Sequence, residues 1–217
     1  VRWVDVKAYG ALIVALVAGV VFCPSKPQTQ SYAFAASSRW GEITQYGKAK
    51  TPVITAMFHG QADLDLIFKE GIEKSLIDLD RTSCGLVKLT IVWDFIPDQA
   101  GLLRATIRGD NVVMAVRSST MKAAFNNEDE NLLGLTQPGI HWVFLVIDRI
   151  DEPEMVVWVA AHEFGHTIGL EHVELGLMQT YAPTFPTTPI TWERDDLREF
   201  CRVWSCKIEM FNDCRER

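Results

Sequence analysis

His162, Glu163, His166 and His172 are the residues of this chain whose types and spacing could do chemistry. Two histidines four apart stack one above the other on a helical face, so both imidazoles can reach one ion. Gly169 lets the chain turn through a left-handed conformation, which ends that helix and swings His172 back as a third ligand. Three protein ligands on zinc leave a fourth position open, as in a catalytic rather than a bracing site. A water held there has its pKa lowered towards about 7. Glu163, next to a ligand, projects beside the metal rather than onto it. From there it can accept a proton from that water as it attacks and pass the proton on to a leaving group. The alternative is a noncatalytic zinc-containing binding protein. Intact Glu163 argues against it, because a bracing site gains nothing from a neighbouring base.

The segment His162–His172 reads H-E-x-x-H-x-x-G-x-x-H, and on these residues the chain resembles the metzincin zinc endopeptidases. The resemblance implies hydrolysis of peptide bonds in extracellular proteins or peptides, and a methionine in a turn beneath the metal. Met178 follows His172 by six residues, within Gly176-Leu177-Met178-Gln179. Among metzincins the chain is most similar to the matrixins, including their bacterial relatives. That similarity implies that Pro183 and Phe185, in Pro183-Thr184-Phe185, wall the specificity pocket. It also implies that Gly134 and Leu135 belong to an edge strand above the metal that pairs with an extended substrate. Matrixins often bind calcium, and the oxygen-rich Asn126-Asn127-Glu128-Asp129-Glu130-Asn131 is its candidate loop, a solvated polar loop being the simpler reading. The chain departs from the pattern in three places. Val173 replaces the serine typical of matrixins; Tyr181 stands three residues after Met178, where metzincins that use a switching tyrosine place it two after; and Arg81-Thr82-Ser83-Cys84-Gly85 lacks the prolines of a cysteine switch, so Cys84 is not read as one.

Periodicity supplies the elements that must position these groups. Pro52–Phe58, Leu86–Ile96, Val112–Val116 and Trp142–Ile147 read as strands, the last a continuous apolar run central in a sheet. Ala62–Leu79 has the spacing of an amphipathic helix. Glu154–Ile168 is a helix apolar on both sides, hence buried, with Pro153 at its first turn. Thr191 is the expected N-cap of a last helix reaching Val203, whose Asp195 and Asp196 suit the positive end of the helix dipole. The fold expected is α+β: with the resemblance, a metzincin-like catalytic domain with a twisted mixed sheet, an active-site helix and a C-terminal helix.

Residues 1–35 read as a signal peptide or membrane anchor, because the uncharged run Ala8–Phe22, 15 residues long, follows Arg2 and Lys7 and is short for a membrane span. Residues 36–50 read as a linker or short pro-segment, and 51–217 as the peptidase domain. The expected location is therefore secreted or extracytoplasmic, with membrane contact only through an uncleaved N-terminal segment. Cys84, Cys201, Cys206 and Cys214 fit an exported chain with two disulfides, one of them stapling the tail, with three connectivities open. Twenty-eight acidic against 21 basic residues, the basic ones scattered, exclude a nucleic-acid footprint. The expected partner is a protein or peptide substrate, and the expected state a monomer. His59 and His141 lack metal-ligand spacing and read as structural or exposed.

Overall fold

The structure, a computed structural model, describes residues 44–46, 51–94, 111–125, 130–137, 142–184 and 186–212. The apolar run 8–22, His141, residues 126–129 of the acidic loop, Phe185 and Cys214 lie outside the described residues. No described helix is long and apolar enough to cross a membrane.

In chain order the elements are β1 (Thr44–Tyr46), β2 (Thr51–Gln61), α1 (Leu66–Thr82), β3 (Val87–Asp94), β4 (Asn111–Val116), α2 (Ser118–Phe125), β5 (Gly134–Gln137), β6 (Trp142–Val146), α3 (Pro153–Thr167), α4 (Arg194–Trp204) and a 3-10 turn, Ile208–Phe211. The fold is α+β around a mixed sheet ordered β3-β2-β4-β6-β5, with β1 adding antiparallel to the first residues of β2. Strands β3, β2, β4 and β6 run parallel. Only four residues separate β5 from β6, too few for a crossover, so that pair is antiparallel and β5 becomes the sheet's edge.

Every residue of β6 is buried, because both faces of the sheet are covered there. One face carries the main core. Ile54, Ala56 and Phe58 of β2 alternate inward against Ile72, Leu76 and Leu79 of α1 and against α3. The edge of Phe58 meets Phe164 of α3 with ring centroids 4.9 Å apart. α1 and α3 cross closely at Gly71, where an added Cβ would come 2.6 Å from Val156 Cγ1. Val112, Met114, Trp142, Phe144 and Val146 turn to the other face and pack with Met121 of α2.

Several boundaries differ from expectation for local reasons. The first helix starts at Leu66 rather than Ala62, because Ala62 N–H donates to Asp94 O at 2.9 Å and Leu64 N–H to Gln61 O at 3.2 Å, closing a turn. Leu64 still packs on the core from that turn, which is why it fitted the helical spacing. β2 extends to Gln61 because β3 and β4 pair with its last residues on both sides. The last helix is capped by Glu193, not Thr191, in a reciprocal capping box with Asp196. α2 was not expected at all, and β1 falls inside the segment 36–50 read as a linker. Cys201 and Cys206 form a disulfide at the end of α4, and Cys84 is disulfide-bonded as well.

Candidate metal centre

α3 delivers the first two histidines. It is buried on nearly its whole circumference from Val156 to Gly165, so His162 and Glu163 are only 6% and 5% exposed. The helix stops where expected. Gly169 takes φ +88°, Gly169 N–H donates to His166 O and Leu170 N–H to Gly165 O, and the chain doubles back to bring His172 beside the helix.

The three imidazoles then converge. His166 Nε2 is 3.1 Å from His162 Nε2 and 3.2 Å from His172 Nε2, and the remaining pair is 3.3 Å apart. His162 Nδ1 lies 2.7 Å from Leu177 O, and His166 Nδ1 lies 2.8 Å from Leu170 O. A carbonyl oxygen can only accept, so each Nδ1 must carry the proton and each Nε2 of this pair presents a bare lone pair. Burial, reinforced by the neighbouring His166, pushes the pKa of His162 down to about 3, and burial lowers that of His166, which keeps both rings neutral near pH 7. Trp158 stacks on His162 with centroids 5.1 Å apart and fixes its plane. Lone pairs directed at one another repel unless a cation lies between them. The triad is placed to hold one metal ion, and it is the one such group among the described residues.

Met178 lies under the helix as expected. It is fully buried and packs so tightly on Gly165 that any Cβ there would collide with its sulfur. What holds its turn was not legible in the sequence. Asp196, fully buried, accepts from Leu177 N–H and Met178 N–H, each at 2.9 Å, and from Glu193 N–H at 2.8 Å. Reading Asp196 as a charge for the helix dipole was therefore too weak: the carboxylate ties α4 to the methionine turn. Gly176, at φ +126°, leaves room for it.

Glu163 is enclosed by the edge strand. Thr136 Oγ1 lies 2.7 Å from Glu163 Oε2, and a Cβ on Gly134 would come 2.6 Å from Glu163 Oε1. Gly134 thus belongs to the site through the space it leaves, while Leu135 turns to the second core. Thr136 was missed, since one threonine in a four-residue strand carries no local pattern. Pro183 is half-buried, Tyr181 is 78% exposed, and His59 is paired with Asp94 rather than joined to the triad.

Burial pushes the pKa of Glu163 up to about 7, against the opposing hydrogen bond from Thr136. Below pH 4.5 the group is protonated whether the chain is folded or not. Between 4.5 and about 7 the unfolded chain sheds the proton while the folded one keeps it, so stability falls as pH rises; above 7 the loss is constant. In metal-free protein, Glu163→Gln is expected to match the native stability at pH 4 and exceed it by about 3 kcal/mol at pH 8. Urea unfolding at the two pH values checks this, and an unchanged difference between them would contradict it.

A scan against protein-family models matches none of them, and a search of curated proteins finds no match.

Proposed function

We propose that the chain is an exported zinc-dependent endopeptidase of the metzincin type, most similar to the matrixins. One observation carries the reading: three imidazole Nε2 atoms 3.1–3.3 Å apart, those of His162 and His166 bare, beside a buried carboxylate. Tetrahedral zinc with bonds of about 2.0–2.1 Å separates its ligand atoms by about 3.3–3.4 Å, close to this triangle. The buried methionine beneath the triad and an antiparallel edge strand against Glu163 support the same reading. A disulfide between Cys201 and Cys206 favours export.

Bound zinc supplies Lewis acidity, lowering the pKa of water towards about 7 and polarising a substrate carbonyl. The residues of the chain do the rest. His162, His166 and His172 hold the ion with rings oriented in advance, two by carbonyls and one also by Trp158. Glu163 takes the proton from the attacking water and returns it to the amine nitrogen as the peptide bond breaks. In metal-free protein burial raises the pKa of this carboxyl, and a zinc ion held beside it would draw it back towards the base form that accepts the proton. β5 offers its unpaired backbone edge to an extended peptide, which adds to the sheet as a strand.

Zinc-loaded protein is expected to contain about one zinc per chain and to cut an unbiased peptide library, with cleavage abolished by a chelator and restored by zinc. Folded, zinc-loaded protein that cuts no peptide would remove the enzyme reading and leave a zinc-containing binding protein.

A further inference from the structure

Glutamate has three side-chain torsions, so a base at its end needs an agent that fixes them before reaction. At Glu163 that agent comes from another element. Thr136 Oγ1 reaches both ends of the same residue, the carboxylate Oε2 at 2.7 Å and the main-chain oxygen at 2.9 Å. With one proton to give, the hydroxyl donates to Oε2 when the carboxylate is ionised, and to the main-chain oxygen when a protonated Oε2 donates back to Oγ1; either way the side chain is restrained from swinging. Gly134, two residues earlier and therefore on the same face of β5, lets the strand approach until a Cβ would stand 2.8 Å from Glu163 Cγ and 2.9 Å from Cδ. Oε2 is thereby tied to the sheet, whereas Oε1 accepts no hydrogen bond from any described residue and is left for the transferred proton.

We propose that Thr136 is a positioning residue for Glu163, its hydroxyl holding the carboxylate in the orientation in which it works. The inference rests on the peptidase reading above. It adds that the strand expected to receive substrate also sets the base, so that one element orders both reacting partners. Glycine at 134 and a hydroxyl at 136 are then two parts of a single clamp.

The test compares Thr136→Val, which keeps shape and removes the hydroxyl, with Thr136→Ser, which keeps the hydroxyl, and with Thr136→Ala as a smaller replacement. All are zinc-loaded and checked for metal content and for fold by circular dichroism. With a quenched peptide substrate, the valine and alanine variants are expected to lose roughly tenfold or more in kcat with KM nearly unchanged, and serine to restore most of it. A second readout needs no turnover. Calorimetry with a simple peptide hydroxamate, whose hydroxyl hydrogen-bonds to the base, should show weakened binding for valine and alanine and near-native binding for serine. Unchanged kcat and hydroxamate affinity in the valine variant would overturn the proposal, as would a serine variant as impaired as valine. Should the native zinc protein cut no peptide, the peptidase reading falls, and the hydroxamate comparison alone still decides the role of Thr136.

Discussion

Glu163→Ala is expected to bind close to one zinc per chain while losing about 10²–10⁴-fold in turnover, the range for removal of a general acid–base. Metal retention follows from the separation of duties in the site. The histidines are oriented by Leu177 O, Leu170 O and Trp158, none of which depends on the carboxylate. Nor does the substitution strand a polar group, because Thr136 can turn its hydroxyl to Glu163's main-chain oxygen, which alanine keeps. The small cavity left is bordered by Gly134 and costs some stability rather than the fold. Metal analysis beside peptide kinetics makes the comparison. Loss of zinc together with activity would show that Glu163 supports the metal and would contradict its assignment as base.

Asp196→Ala is expected to have the largest effect on stability of any single change near the site, about 3–5 kcal/mol. Three backbone N–H groups, of Leu177, Met178 and Glu193, point at one buried carboxylate and have no substitute acceptor in an alanine. Each unsatisfied buried donor costs about 1–3 kcal/mol, and part of that is recovered as the turn relaxes towards water. The damage then reaches the metal. Leu177 supplies the carbonyl that orients His162, so loosening its turn is expected to weaken zinc about 10–100-fold, as for other changes to groups that orient metal ligands. Chemical denaturation and competition with a zinc-binding dye measure the two effects. A variant as stable as the native protein would mean that the turn is held by Met178 packing alone.

These two residues mark how far the sequence could be read. The placement of Glu163 was legible because it is local: one helix spaces the first two histidines, and the carboxylate is the neighbour of one of them. Met178 was legible for the same reason, its distance from His172 being fixed by a short turn. Asp196 was not. On its own helix it looks like an ordinary first-turn acid, and nothing nearby in sequence reveals that N–H groups 18 and 19 residues earlier need it. Thr136 was hidden in the same way, its partner lying 27 residues away. Element types followed periodicity well where one face was buried, as in α1, and α3 was legible as a long apolar run with Pro153 at its start. They failed at α2 and β1, where eight and three residues are too few to show a period. At the last helix Thr191 was the expected cap, but Trp192 N–H donates to Thr82 Oγ1 of α1 and the helix begins at Arg194, capped by Glu193.

The carbonyls that hold the first two ligands have a consequence for how the metal comes and goes. Leu170 O, which orients His166, stands two residues before His172; Leu177 O, which orients His162, stands immediately before Met178. The two helix histidines therefore clasp the segment that carries His172, and a bound ion would join both. Peeling back residues 168–178 would release two rings and withdraw a third in one movement. Escape of a bound ion and opening of that loop would accordingly be a single event, and a filled site would act as a rivet shielding the segment from proteolytic nicking.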